Sequence, residues 1–317
     1  MRPLATIALL VAAAVARPDE GRRGTSPRPT QTVLAARSVP HPPSYLASRG
    51  AGAAVGGVEW LGPKPPARPR RVVSLAPSIT DTAVALGKAP LLVGVTRYDD
   101  APEVAKLPRV GGFLDPSPEA VLALRPDLVL WVTDGGALPA VRRIAELGVP
   151  VLAIPVISVA DVLACARLVG SVLGDGPAGE RLASSLEAAV ARARRRAAGL
   201  PRVRALFVVG RDPLVVAGPG SFPDELLRIV GGENVVANTR PWPVYPVERA
   251  VADAPDLVID GAVLEPAEGL SRLSAVPAVK RGAVYRLHDD GALRPGPKLA
   301  AALDELARGL SKARGGP

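Results

Sequence analysis

The feature that most constrains the fold is an alternation of short apolar runs with helical patterns, which begins at Arg70 and continues to the C-terminus. Most of the apolar runs are rich in β-branched residues and unbroken, as in strands that are buried on both faces of a parallel sheet. The predicted strands are 71–77, 91–95, 127–132, 149–155, 203–210, 256–260 and 283–287. The predicted helices between them are 78–87, 118–124, 138–147, 158–174, 223–230 and 298–310. The sequence therefore predicts an α/β protein with parallel sheets.

Two of these helices begin with the same capping signal. Ser78 and Ser158 each stand three residues before an aspartate, an arrangement in which the serine side chain caps the helix and the carboxylate bonds back. We therefore predict that both serines are N-caps.

One helical segment, residues 177–199, is longer than its neighbours. Its acidic residues come before a run of arginines, an order that suits the helix macrodipole. At a rise of 1.5 Å per residue such a helix is about 34 Å long, more than a crossover between adjacent strands needs. The αβ pattern restarts after it. We therefore predict two αβ lobes, 70–174 and 202–317, bridged by one long rigid helix within 175–201.

The two predicted lobes contain similar segments. PEAVLALRPDLVL (118–130) and VERAVADAPDLVI (247–259) align without a gap at an offset of 129 residues. Each places a glutamate, Glu119 or Glu248, in the first turn of a helix, with a proline seven residues later followed by Asp-Leu-Val. This internal repeat predicts that the two lobes resemble one another.

The N-terminus predicts export. Arg2 precedes an uncharged apolar stretch that ends at residue 16 and is too short to span a bilayer, so residues 1–16 are interpreted as a signal peptide. Residues 17–69 are rich in Pro, Gly and Arg, a composition typical of a disordered linker. The single cysteine, Cys165, lies far from the apolar stretch, so no lipid anchor is predicted. The expected location is the periplasm.

Charge and composition exclude several classes of protein. Residues 17–71 hold ten Lys and Arg against three Asp and Glu, so with Arg2 nearly all of the net charge of +9 lies before Val72, and no nucleic-acid partner is predicted. One cysteine and two histidines, His41 and His288, predict no metal cluster. Without a catalytic motif, we predict no enzyme, no catalytic residue and no cofactor. The acidic pairs 99–100 and 289–290 are interpreted as solvated loop carboxylates.

Five aromatic side chains fall in loops or at the end of a strand. They are Tyr98, Phe113, Trp131, Trp242 and Tyr245. Loops beyond the carboxyl ends of parallel strands are where open α/β sheets bind ligands, and flat rings suit a large, partly apolar molecule. We therefore predict a ligand cleft lined by these five residues. The alternative is that each ring covers the rim of its own lobe.

Five blocks of sequence carry a family resemblance. They are RVVSLAPSITDTAVALG (71–87), YDDAP (98–102), RVGGFLDPSPEAVLALRPDLV (109–129), IVGGENVV (229–236) and PWPVYPVERAV (241–251). Together they resemble the periplasmic cobalamin-binding proteins of ABC importers, from Arg70 to near the C-terminus. The resemblance implies a monomer whose two lobes hold a corrinoid between them. It also implies delivery of that ligand to a permease dimer with its ATPase subunits.

The resemblance also implies roles for particular residues. The cleft aromatics of the family correspond to Tyr98, Phe113 and Trp242. Its C-terminal ligand loop corresponds to residues 288–298, which makes Asp290 and Arg294 the expected polar contacts. Glu119 and Glu248 are expected to dock, one from each lobe, on arginines of the permease. The alternative for both glutamates is that they only complement the N-terminus of their own helix.

Two departures from the family pattern keep other ligands open. Phe113 replaces what is commonly a tryptophan, and Gly291 stands where a ring is expected. Another corrinoid, haem or a ferric siderophore therefore remains an alternative ligand for the same fold. A function of a different class is an exported module that senses or scavenges its ligand.

Overall fold

The computed structural model describes residues 57–315, except 134–136, 238–239 and 264–266. In this part of the chain the first sheet contains five strands, β1 (Glu59–Leu61), β2 (Val72–Ser74), β3 (Leu92–Gly94), β4 (Leu128–Val132) and β5 (Val151–Ile154). Their order in the sheet is β1-β5-β4-β2-β3. The accompanying helices are α1 (Pro77–Ala85), α2 (Pro118–Ala123), α3 (Leu138–Glu146) and α4 (Val159–Val172). We refer to residues 57–172 as the first lobe.

The second sheet also has five strands within the described ranges. They are β6 (Val203–Arg211), β7 (Leu214–Val216), β8 (Gly232–Asn234), β9 (Leu257–Asp260) and β10 (Val284–Arg286). The order is β10-β9-β6-β7, and β8 also pairs with β6. The accompanying helices are α6 (Phe222–Ile229), α7 (Val247–Ala252), α8 (Pro277–Lys280) and α9 (Leu299–Ala313). We refer to residues 203–315 as the second lobe.

The predicted strands form the parallel centre of each sheet. In the first sheet β2, β4 and β5 pair in parallel, and in the second sheet β6, β9 and β10 do so. All five residues of β4 are buried. Leu128 and Leu130 join one apolar cluster while Val129 and Trp131 join another, because successive side chains of a strand point to opposite faces. The predicted α/β fold with parallel sheets is confirmed.

The long helix α5 (Gly176–Ala197) lies between the two sheets in the chain, as predicted. It packs against α4 of the first lobe and against α9 of the second. Its buried residues Leu186 and Val190 belong to an apolar cluster that contains residues of both sheets, such as Leu130 and Phe207. The helix therefore joins the lobes through a continuous apolar core.

The contact between α4 and α5 is closest at two glycines. A Cβ atom on Gly170 would come within 2.6 Å of the Cα atom of Gly179. A Cβ atom on Gly179 would come within 2.7 Å of the carbonyl oxygen of Ala166. The two helix backbones touch here, and no larger side chain fits between them.

The predicted start of the ordered fold was wrong. Residues 59–61, within the segment interpreted as a disordered linker, form the edge strand β1, in which Trp60 pairs with Leu152 of β5 in antiparallel fashion. Main-chain pairing orders this short strand although the surrounding composition is rich in Pro and Gly. The predicted signal peptide and the linker up to residue 56 lie outside the described residues. No helix in the described part of the chain is long and apolar enough to cross a membrane.

One of the two capping predictions is confirmed. Ser158 accepts a hydrogen bond from the backbone N–H of Asp161, whose carboxylate bonds back to the N–H of Ser158. The prediction for Ser78 was wrong, because α1 begins one residue earlier at Pro77 and has no side-chain cap. The ring of proline fixes a helical φ, which suits the first position of a helix. Asp81 is thereby free for another role.

We predict that Gly170→Ala and Gly179→Ala each lower the free energy of unfolding by about 1–3 kcal/mol, because the added methyl group forces α4 away from α5. Gly176→Ala is the matched control, since a Cβ at this α5 position meets no atom within 4 Å. Its stability should be unchanged or slightly raised. Urea unfolding followed by circular dichroism measures all three, and equal stability of Gly170→Ala and Gly176→Ala would contradict the close contact.

Candidate functional site

The internal repeat is visible in the backbone. Arg125 in the first lobe and Ala254 in the second occupy equivalent positions of the two repeats, and both have the left-handed conformation, with φ of 46° and 44°. Each residue ends a short helix immediately before a proline. Side chains with a Cβ rarely adopt this conformation, so its occurrence at both positions shows that the two turns are the same structure.

An arginine braces each of these turns. The guanidinium of Arg71 donates a hydrogen bond of 2.7 Å to the carbonyl oxygen of Leu124, the last residue of the helical turn. In the second lobe Arg204 donates one of 2.8 Å to the carbonyl oxygen of Asp253. The two arginines therefore satisfy the free carbonyl groups at the ends of α2 and α7 in the same way.

An aspartate carboxylate also bonds to the backbone of each of these arginines. We call the arginine and aspartate of each lobe, Arg71 with Asp127 and Arg204 with Asp256, its brace. Asp127 accepts the backbone N–H of Arg71 at 2.9 Å, and Asp256 accepts the backbone N–H of Arg204 at 3.1 Å. The helix, the turn and the following strand are thus tied together alike in the two lobes.

Glu119 and Glu248 occupy matching places in this repeated unit. Both are exposed and lie in the first turn of their helices, α2 and α7. Hydrogen bonds from its own backbone N–H and from the hydroxyl of Ser117 lower the pKa of Glu119. The protein therefore presents one exposed carboxylate on the same structural element of each lobe.

An ion-pair network, largely buried except for Asp100, joins the two lobes. The guanidinium of Arg294, in the loop between β10 and α9, bonds to Asp290 at 2.6 Å and to Asp81 and Asp100 at 3.1 Å each. Asp81 is on α1, and Asp100 is in the loop after β3. We call Asp81, Asp100, Asp290 and Arg294 the interlobe network.

Burial and charge shift the pKa values within the interlobe network. Loss of hydration raises the pKa of Asp81 despite the nearby arginine. Asp100 is less buried; although its burial acts in the opposite direction, Arg294 and Lys298 lower its pKa. Burial opposes the charge of Arg294, but Asp290, Asp81 and Asp100 hold its pKa above the usual range. Each carboxylate of the network therefore faces a permanent positive charge.

The network corrects the interpretation of the acidic pairs as solvated carboxylates. Asp99 and Asp290 are each only 6% exposed, whereas Asp100 and Asp289 are exposed. Asp290 is buried because it holds Arg294, and Asp99 because it accepts hydrogen bonds from the backbone N–H and hydroxyl of Thr96. A cavity of about 380 Å³ lies beside the network, lined in part by Asp81, Asp100 and Lys298.

Three of the five predicted aromatic residues remain candidates for ligand contact. Tyr98 is partly buried, with the guanidinium of Arg97 5.3 Å from its ring centroid. Phe113 is 9% exposed and belongs to the same apolar cluster that Tyr98 packs against. Trp242 is 36% exposed. The structure thus associates Tyr98 and Phe113 with one apolar cluster, both from the first lobe, and leaves Trp242 on the surface of the second.

The other two aromatic residues are packed in the cores of their lobes. Trp131 is 2% exposed because its position in β4 turns the ring, with Val129, into the apolar cluster that contains Ile144 of α3. Tyr245 is 8% exposed; its ring lies in a core cluster of the second lobe and its hydroxyl donates to Asp253. Each of these two rings contributes to the core of its own lobe, not to its rim.

Cys165 and His288, the cysteine and the histidine of the described residues, both have structural surroundings. In the described ranges no group of three or more His, Cys, Asp or Glu side chains is placed to hold a metal ion. Burial raises the pKa of the Cys165 thiol to about 12, so this cysteine is a core residue. His288 bonds through Nδ1 to Glu305 at 2.5 Å.

Known proteins resemble the chain over most of its length. The family described as periplasmic binding protein matches residues 72–290. The vitamin B12-binding protein of Salmonella typhimurium strain LT2 is 29% identical over 248 residues, covering 76% of this chain and 90% of that protein. An uncharacterized ABC transporter substrate-binding lipoprotein of Bacillus subtilis is 29% identical over 252 residues, covering 76% of this chain and 80% of that protein.

Two solved structures share the fold. The periplasmic heme-binding protein RhuT from Roseiflexus sp. RS-1 superposes with a TM-score of 0.71 and 29% identity, covering 77% of this chain and 98% of that one. The periplasmic vitamin B12 binding protein BtuF of Vibrio cholerae gives a TM-score of 0.70 and 22% identity, covering 78% and 99% of the two chains. The predicted resemblance and fold class are confirmed.

We predict that Trp131→Ala lowers the free energy of unfolding by about 3–5 kcal/mol, because it leaves a cavity in the core of the first lobe. Trp242→Ala, at an exposed position, should change it by only about 0.5 kcal/mol or less. Chemical denaturation of both variants measures the difference. A small effect of Trp131→Ala would place that ring outside the core and return it to the candidate ligand contacts.

Proposed function

Because the chain belongs to the periplasmic binding protein family, we propose that it captures a corrinoid of the cobalamin type between its lobes and delivers it to an ABC importer. The observation that carries this proposal is the repeated unit that presents Glu119 and Glu248 alike on the two lobes. The partner is then a permease dimer with its ATPase subunits. The protein acts as an exported monomer in the periplasm and breaks no bond of its ligand.

The two glutamates suit a symmetric partner. A permease dimer has a two-fold axis, and a binding protein with two similar lobes can meet it with the same contact on each side. Exposed carboxylates add little affinity in water, but they steer association and fix the register of docking. The braces at Arg71 and Arg204 hold the two glutamate-bearing helices in equivalent positions relative to their sheets.

The choice of a corrinoid rests on the relatives and on the candidate rings. Relatives that are 29% identical over 248 residues are named vitamin B12-binding proteins. Tyr98, Phe113 and Trp242 offer flat faces to a large macrocycle, whose apolar surface they would remove from water.

Haem is the second candidate, because the similar structure from Roseiflexus sp. RS-1 is named heme-binding and is 29% identical. Haem iron needs an axial ligand, which is a phenolate when tyrosine provides it. Burial raises the pKa of Tyr98, so a haem site there would rely on the iron to displace the phenolic proton. His288 is exposed and bonds to Glu305 through Nδ1, which makes Nε2 the nitrogen that would bind iron. The corrinoid is placed first because the relatives at 29% identity over 248 residues are named vitamin B12-binding proteins.

We predict that the chain binds cyanocobalamin with one-to-one stoichiometry and a Kd of about 1 μM or below, as measured by isothermal titration. Trp242→Ala should weaken binding by about 1 kcal/mol, since one ring face is lost. Trp60→Ala is the matched control, because Trp60 is similarly exposed, at 42%, but lies on the edge strand β1.

Titration with haemin and with a ferric siderophore separates the alternatives. Tight haemin binding without cobalamin binding would overturn the corrinoid and keep the transport role. Binding of none of the three ligands would favour a sensing or scavenging module with a different ligand.

We predict that Glu119→Ala combined with Glu248→Ala abolishes ligand uptake through the cognate importer while ligand affinity stays unchanged. Each single variant should retain part of the uptake, because one lobe can still dock. Uptake of labelled cobalamin by proteoliposomes that contain the importer measures this. Glu146→Ala with Glu233→Ala is the matched control, since these glutamates are also exposed, one in each lobe.

Two results would contradict the docking role. Uptake that is unaffected by the Glu119 and Glu248 double variant would leave these residues as complements of their helix N-termini only. Loss of ligand affinity in that variant would place the glutamates in the ligand site instead.

A further inference from the structure

We propose that Arg294 is a positioning residue that fixes the distance between the two lobes, rather than a contact of the ligand. The residue is 8% exposed, and its guanidinium bonds to three carboxylates. Two of them, Asp81 and Asp100, belong to the first lobe. The third, Asp290, belongs to the same loop as Arg294.

The loop of the second lobe holds Arg294 in a fixed orientation. Asp290, four residues earlier, bonds to Nη2 at 2.6 Å and is itself buried. Lys298 lies 3.9 Å from the other carboxylate oxygen of Asp290. With Nη2 held in this way, Nη1 points across the boundary between the lobes.

The first lobe presents its two acceptors on anchored segments. Asp81 lies in α1, whose residues Ile79 and Ala83 are fully buried. Asp100 directly follows Asp99, which is bonded to Thr96 just after β3. Both acceptors follow the carboxyl ends of parallel strands, the edge at which open α/β sheets bind ligands. The cross-lobe bonds of 3.1 Å therefore form beside the proposed ligand cleft.

The energetics favour a role in geometry. A buried ion pair contributes little net stability, because the cost of removing the charges from water offsets their attraction. Removing one partner is costly, because it leaves the other charge buried and unpaired. The network therefore favours the arrangement of the lobes in which all four side chains are paired, since an arrangement that kept Asp81 and Arg294 buried but apart would leave charge unpaired.

The same contacts argue against direct recognition of the ligand by Arg294. Its charge is already balanced by carboxylates, so an acidic group of a ligand would have to displace one of them. The two roles predict different effects of Asp81→Asn on ligand affinity. If Arg294 binds the ligand, Asp81→Asn frees the guanidinium and preserves or raises affinity. If Arg294 positions the lobes, Asp81→Asn and Arg294→Met cause the same defect.

The first measurement is the distance between spin labels at Leu147→Cys in the first lobe and Lys280→Cys in the second, without ligand. Both positions are exposed, and the native Cys165 is buried and unreactive. We expect a narrow distance distribution for the otherwise unchanged chain. Arg294→Met and Asp81→Asn should each broaden or shift it, and Arg294→Lys should restore it in part.

The matched control is Arg196→Met. Arg196 pairs with Asp304 at 2.9 Å between α5 and α9, but both side chains are exposed, so this pair should not set the distance between the lobes. An unchanged distribution in both Arg294→Met and Asp81→Asn would overturn the proposal. Should Arg294→Met fail to fold, Asp81→Asn keeps the shape of the side chain and decides alone.

The second measurement is ligand affinity in a double-mutant cycle, and only this arm rests on the proposed function. We expect Arg294→Met and Asp81→Asn to weaken cyanocobalamin binding about tenfold each, and the double variant also about tenfold rather than a hundredfold. If only Arg294→Met lowers the affinity for cyanocobalamin, Arg294 is a ligand contact. If cyanocobalamin does not bind at all, the proposed ligand fails while the distance measurement still decides the role of Arg294.

Discussion

The contact between the backbones of α4 and α5 at Gly170 and Gly179 is the constraint on which the rest of the structure depends. It fixes the long helix to the first lobe, while α9 fixes the same helix to the second. Because Leu186 and Val190 of α5 lie in one apolar cluster with residues of both sheets, separating the lobes would expose a continuous core. Apolar contacts therefore join the lobes along α5, and the ion pairs of Arg294 join them beside the cleft.

The two lobes are alike around Glu119 and Glu248 but differ around Arg294. The braces at Arg71 and Arg204 are the same in both lobes, and they place Glu119 and Glu248 on matching elements. Under the proposed function, such a frame suits a permease with a two-fold axis. Arg294, by contrast, lies outside the repeated segments and bonds from the second lobe to Asp81 of the first. The two sides of the proposed cleft therefore differ, with the arginine on the second lobe and its acceptors on the first. Such a cleft suits a single ligand that has no two-fold symmetry.

Local sequence signals predicted the main elements because each depends on nearby residues: unbroken apolar strands, the length of α5 and the capping box at Ser158. Three-residue strands such as β1 and β7 were missed, because they are held by main-chain pairing and not by a pattern of their own. The orientation of Trp131 required knowledge of which face of β4 is covered. No local signal links Asp81 to Arg294, which are 213 residues apart in the chain.

The position of β1 has a mechanical consequence. It is an edge strand of the first sheet, and β3, from which the chain leads to Asp100, stands at the opposite end of the strand order. The chain before β1 therefore enters the sheet at the edge opposite to β3. A tether under tension there would first load the three residue pairs between β1 and β5. Those pairs would separate before the force reached the cleft or the contact between the lobes.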